Sequence, residues 1–276
     1  MIVFLDGRFI PEEDATLSIH DRGFLFADGV FETALIHDGG CFRLGPHLDR
    51  LADSAAALML PRPPADLDAV IRDLARRNGL RDASVRVTYT RGAGKGPTLL
   101  VTAKPPQDHD VARSRGWNVI TAGTRRPSPA AIPAHVKALG RTYSLLARAE
   151  AARAGADDAL LLGDGGWVCE GPTWNVFWRT GDTLFTPSLD VGVLAGVTRA
   201  VLVELAPGAG LAVREGRWDR SVLDGADEIF ASMTSAGIVP FRTLDGRTLP
   251  AETPAADVLQ PAYWSRVKEE AAADPL

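Results

Sequence analysis

Ala159-Leu-Leu-Leu-Gly-Asp-Gly-Gly-Trp-Val-Cys-Glu170, followed after a Gly-Pro break by Asn175-Val-Phe-Trp-Arg-Thr-Gly-Asp-Thr-Leu-Phe185, decides what kind of sheet this chain builds. The apolar run Ala159–Leu162 meets the turn Asp164-Gly165-Gly166 and returns as Trp167 to Glu170, a hairpin whose second strand ends on a carboxylate. Thr180-Gly181-Asp182 then turns Asn175–Trp178 back into Thr183–Phe185. Strands this short, this closely spaced by tight turns, predict a largely antiparallel or barrel-like sheet.

Outward from that core the chain alternates strand and helix patterns. The N-terminus reads as a hairpin, Ile2–Leu5 and Arg8–Ile10 across Asp6-Gly7. Pro46 opens a helix with Leu48, Leu51, Ala55 and Leu58 on one face, and a second helix runs from about residue 65 to residue 78. Ala83–Thr90 alternates strictly, with Arg86, Thr88 and Thr90 on a polar face that is either solvated or lines an anion site. Pro105 to Gly116 is polar and interrupted by prolines, as a linker is, and divides the chain into domains of residues 1–110 and 111–276. In the second part a helix is expected over 142–154 and another from Val197 to Ala206. Asp219 caps a short one, Glu228–Ser232 is a strand, and the end is a charged tail.

Composition excludes several classes. With 276 residues, 46% hydrophobic and 24% charged, the chain has ample material for packed cores. A net charge of -5 gives no footprint for nucleic acid or an anionic membrane, and no apolar run nears the roughly 20 residues of a membrane span. The start lacks the marks of a signal peptide, so a cytoplasmic protein is expected. Cys41 and Cys169 are too few for a disulfide framework, and they and five scattered histidines form no metal-ligand spacing, so no metal is expected.

Chemistry is carried by a few residues. Of 30 basic residues only four are lysines: Lys95, Lys104, Lys137 and Lys268. Arginine stays charged, whereas a desolvated lysine can shed its proton and become a nucleophile. Lys137 alone lies in an apolar run, among Ile132, Val136, Ala138 and Leu139; a partly buried, snorkelling lysine is the alternative reading. Glu170 ends a strand before Gly171-Pro172, either rigidly held or simply beside a turn. Gly196-Val197-Thr198 starts a helix with unpaired N–H groups and a hydroxyl at its mouth, a phosphate-binding geometry. Thr234 and Ser235 after a strand add donors, and Arg50 is either a clamp or a solvated charge. Arg91-Gly-Ala-Gly-Lys95-Gly is no phosphate loop, since glycine follows the lysine and a strand follows the loop. A lysine amine, a fixed carboxylate and such phosphate ligands are together the parts needed to hold pyridoxal phosphate.

With those residues the chain resembles the fold-type IV (class IV) pyridoxal-phosphate enzymes, which include branched-chain and D-amino-acid aminotransferases and aminodeoxychorismate lyase. The resemblance runs nearly end to end. It covers Asp21-Arg-Gly…Asp28-Gly-Val-Phe-Glu32, His47-Leu-Asp-Arg50-Leu, Arg126…Ile132-Pro…Lys137, Glu170-Gly…Asn175-Val-Phe, Leu194-Ala-Gly196-Val-Thr-Arg199 and Asp227-Glu-Ile-Phe…Thr234. It implies a two-domain α/β (α+β) protein, with a small N-terminal and a larger barrel-like C-terminal domain, and a homodimer. It implies Lys137 as the Schiff-base lysine and proton shuttle, Glu170 as partner of the pyridine nitrogen, and phosphate contacts from Arg50, from Val197 and Thr198 after Gly196, and from Thr234. Phe31 and Arg86 are the candidates for substrate contact. The implied reaction moves an amino group between an amino donor and a 2-oxo acid. The alternatives are the lyase, which releases p-aminobenzoate and pyruvate, and a non-catalytic protein that keeps the fold.

Overall fold

Asp6 and Gly7, with φ of 45° and 87°, supply the two left-handed positions that turn β1 (Ile2–Leu5) back into β2 (Arg8–Pro11). The computed structural model describes every residue from Met1 to Leu276. It divides into two units: Met1–Gln107 with His135–Gly140 and Arg266–Leu276, and Asp108–Ala134 with Arg141–Ser265.

The first unit contains α1 (Arg22–Phe26), β3 (Gly29–His37), β4 (Gly40–Phe42), α2 (Leu44–Ala57), α3 (Leu67–Arg77), β5 (Ala83–Thr90) and β6 (Thr98–Lys104). Its six strands form one sheet in the order β2-β1-β6-β5-β3-β4. The strict alternation of β5 is realised: Val85, Val87 and Tyr89 join the core with Leu51 and Ala55 of α2 and Ile71 and Leu74 of α3. Helix α2 begins at Leu44, two residues ahead of Pro46, because the third position of a helix needs no amide hydrogen. On the polar face of β5, Thr90 is buried and donates its hydroxyl to Asp21, the residue that caps α1 through Gly23 N, so Thr90 is structural.

Strand β4 pairs only with Leu35–His37, which leaves the first residues of β3 with an open edge. Residues 137–139 fill it: Phe31 N donates to Lys137 O and Leu139 N to Gly29 O, both through bonds of 2.9–3.0 Å, and Val30 bridges Ala138. Val136 and Ala138 pack into the same core. That pairing is why His135–Gly140 groups with the N-terminal sheet although the surrounding chain does not.

The second unit contains α4 (Asp110–Arg115), β7 (Trp117–Arg125), α5 (Thr142–Arg153), β8 (Asp158–Leu162), β9 (Val168–Glu170), β10 (Asn175–Thr180), β11 (Thr183–Pro187), α6 (Val197–Leu205), β12 (Ala212–Gly216), β13 (Glu228–Met233), β14 (Gly237–Leu244), β15 (Arg247–Thr248) and most of α7 (Pro254–Ala273). The path β10-β13-β14-β7-β8-β9 returns to β10 through the pairing of Asn175 with Glu170, so six strands close into a barrel. Most pairs are antiparallel; β14–β7, β7–β8 and β11–β12 are parallel. The chain is thus mixed α/β with a barrel-like sheet, as the hairpins predict.

Two features differ from the sequence reading. The polar stretch before residue 116 contains a helix, α4, and the expected charged tail is the 20-residue α7. Leu259, Tyr263, Val267 and Ala271, four apart, are buried along one face, together with Ala255 and Ala256 in its first turn. Its start is fixed by the buried Glu228 carboxylate, which accepts from Ala255 N and Ala256 N at 2.9 and 2.8 Å. No helix of the chain is long and apolar enough to cross a membrane.

Candidate active site

In the first unit Lys137 is held by its backbone on two sides. Its N–H donates to Ser54 Oγ of α2 at 3.0 Å and its carbonyl accepts from Phe31 N. The side chain is half-buried and Nζ stands 4.9 Å from the Phe31 ring centre, so the amine lies against an aromatic wall. The Arg86 guanidinium covers the same ring at 4.1 Å. Phe31, Arg86 and Lys137 are therefore gathered around one aromatic side chain, on the face of β3 opposite to Glu32.

Glu32 was not among the residues the sequence singles out, and it organises that other face. Burial by itself would push its carboxyl up, but hydrogen bonds from Arg50 and His47 and the charges of Arg50 and Lys137 hold it at about 2. Arg50 is bound bidentately, Nε to Oε1 at 2.6 Å and Nη2 to Oε2 at 2.8 Å, with its side chain 11% exposed. Arg50 is thus not a solvated charge on a surface helix.

The second unit holds the remaining candidates. Glu170, at the end of β9, accepts from Leu194 N at 2.9 Å and Asn175 Nδ2 at 3.2 Å. Arg126 Nε stands 2.7 Å from Glu170 Oε1, an ion pair whose alignment is too poor for a hydrogen bond, with both side chains under one-tenth exposed. Arg126 in turn donates from Nη1 to Tyr143 OH at 2.6 Å. Gly196 caps α6, and its position is sterically reserved: a β-carbon there would lie 2.0 Å from Asn175 Oδ1. Glu170, Asn175 and the start of α6 are consequently one contiguous set of contacts. Thr198 Oγ1 is 3.5 Å from Tyr263 OH, and Tyr263 OH donates to Thr234 O at 3.3 Å, which joins the other two hydroxyl-bearing candidates. Val197 and Thr198 are buried in the first turn of α6, whose leading amides have no partner within the helix.

These features fit pyridoxal phosphate. A carboxylate held by two hydrogen-bond donors and an ion pair presents a fixed acceptor to a cationic ring nitrogen, and a nine-residue helix opening on a glycine offers amides and a hydroxyl to a phosphate. A Gly196→Ala substitution should push Asn175 away from Glu170. The expected outcome is cofactor affinity reduced roughly tenfold with little change in the melting temperature of the apoprotein, measured by titration of absorbance.

The pattern of the amino-transferase class IV family matches residues 29–244. The chain belongs to the class IV aminotransferases. It is 37% identical over 260 residues to a putative branched-chain-amino-acid aminotransferase of Methanocaldococcus jannaschii, a match covering 90% of each chain. The structure of the Escherichia coli branched-chain amino acid aminotransferase superposes with a TM-score of 0.92 at 29% identity, over 98% of this chain and 95% of that one. A branched-chain amino acid aminotransferase of T.th., solved in complex with N-(5'-phosphopyridoxyl)-L-glutamate, superposes at 0.90 with 29% identity, over 98% and 94%. This class IV aminotransferase is therefore a pyridoxal-phosphate-dependent enzyme, and these matches favour transamination over the lyase reaction. Arg126, Tyr143, Glu32 and His47 are residues of its polar framework to which the sequence reading gave no role, although Arg126, Glu32 and His47 stood inside the motifs that carried the resemblance.

Proposed function

We propose that this aminotransferase exchanges the amino group of large apolar amino acids with a 2-oxo acid. The observation that carries the reading is the Lys137 amine beside the buried Phe31 ring, which gives the reacting centre an apolar wall. The branched-chain aminotransferases among its relatives support it.

In this reading Lys137 Nζ would hold the cofactor covalently, and its amine, once free, would accept and return the proton of the substrate α-carbon. Pyridoxal phosphate, when bound, supplies the sink for the electron pair left at that carbon. Glu170 pairs with the pyridine nitrogen, and Arg126 and Asn175 hold its carboxylate in one orientation. Val197 N, Thr198 and Thr234 would hold the phosphate through N–H and hydroxyl groups, and Arg50 would contribute a charge. Arg86, stacked on Phe31, binds the substrate carboxylate.

The active form is a homodimer. Ile19, Phe24 and Phe26 are 70%, 74% and 65% exposed on one N-terminal segment, apolar surface that a second subunit would cover. The two free, buried thiols, Cys41 and Cys169, agree with a cytoplasmic setting.

A panel of L- and D-amino acids, read as loss of the visible band of the lysine-linked cofactor, tests the assignment. Leucine, isoleucine and valine should convert the enzyme at least about tenfold faster than alanine, given that extra buried methylenes are worth about 1–3 kcal/mol. A preference for alanine or for aminodeoxychorismate would refute it.

A further inference from the structure

Glu32, His47 and Arg50 form a buried polar cluster that the assigned roles leave largely unexplained. Glu32 lies on β3, facing α2, where His47 and Arg50 sit three residues apart and so share one face. Glu32 is 1% exposed and His47 is fully buried. One guanidinium already occupies both carboxylate oxygens, and Thr33 N adds a third donor at 3.1 Å. A carboxylate so engaged only accepts, so the 2.9 Å contact to His47 Nδ1 requires the proton on Nδ1. His47 Nε2 has no partner. Protonating it would place an imidazolium next to Arg50, and burial accordingly pushes the ring's pKa below its ordinary value. His47 is thus a neutral donor with a fixed tautomer.

A buried ion pair of this kind is a poor stabiliser, because desolvation offsets most of its attraction, but it fixes direction well. We propose that Glu32 and His47 are positioning residues for the cofactor phosphate: the His47 Nδ1–H fixes the Glu32 carboxylate, and the carboxylate fixes the plane of the Arg50 guanidinium. The inference rests on the reading of Arg50 as a phosphate ligand.

Its test compares the affinity of the apoenzyme for pyridoxal phosphate with that for pyridoxal, which lacks the phosphate. Glu32→Asp keeps the charge but is one methylene too short to reach both partners. His47→Leu removes the donor, and His47→Asn restores one near the Nδ1 position. The ratio of the two affinities should fall about tenfold in Glu32→Asp and His47→Leu and return to within about threefold of the parent in His47→Asn. A purely structural cluster would lower the apoenzyme melting temperature and leave the ratio alone, and that result overturns the proposal. If Glu32→Asp does not fold, the two His47 variants carry the comparison. Arg50→Met separates the layers: a lowered ratio there with unchanged ratios in the other variants defeats this inference alone. An unchanged ratio in Arg50→Met defeats the phosphate role of Arg50 and the inference together.

Discussion

Lys137→Ala should abolish the visible band of the bound cofactor and lower transamination about a thousandfold or more, since on the proposed role the covalent anchor and the proton carrier would be lost at once. No other amine can stand in. Lys95, Lys104 and Lys268 are exposed, whereas Lys137 is half-buried and tied through its backbone to Ser54 and Phe31. Lys137→Arg should be as inactive as the alanine variant, because a guanidinium keeps its charge and is no nucleophile at neutral pH. The main-chain bonds at residue 137 do not involve the side chain, so both variants should keep the melting temperature of the parent apoprotein. Added methylamine should recover part of the rate in Lys137→Ala but not in Lys137→Arg, where the space is filled. Activity within about tenfold of the parent in either variant would remove Lys137 from the chemistry.

Much of the fold that carries this candidate site was readable because each signal was local. The Asp-Gly and Gly-Gly turns mark the hairpins of β8 to β11, and a glycine before an apolar run marks the start of α6. What escaped depends on partners far away in sequence. The barrel closes through Asn175 and Glu170, whose pairing cannot be inferred from either strand alone. Glu32 reads as one polar residue in a strand; that it faces inward follows only once His47 and Arg50 arrive from α2. Arg126 is one of two adjacent arginines, and only the folded barrel brings it, rather than Arg125, to Glu170. Helix α7 was hidden for a different reason: Pro261 interrupts its sequence pattern, and two of its buried positions, Ala255 and Ala256, are too small to produce a strong apolar period. Lys137 itself was visible from scarcity, but its place beside β3 was not, because that edge is open only where β4 stops short.

Replacing Glu170 by glutamine is expected to have the second-largest effect, and it acts in two separable ways. The amide cannot carry the charge that, on the proposed role, would pair with the pyridine nitrogen, so kcat should fall roughly a hundredfold or more, the scale of removing one aligned electrostatic contact from a reacting centre. The same change leaves the Arg126 cation, 6% exposed, without its counter-charge. Stripping one member from a buried pair costs about 3–5 kcal/mol, enough to lower the melting temperature by several degrees. The two contributions part in the double variant Glu170→Gln/Arg126→Met, in which the orphaned cation is also gone. Its melting temperature should return towards that of the parent while kcat stays low, because a methionine offers nothing to the ring nitrogen. If the double variant regained kcat together with stability, Glu170 would be acting only as the counter-ion of Arg126, and the assignment of the carboxylate to the cofactor would fall.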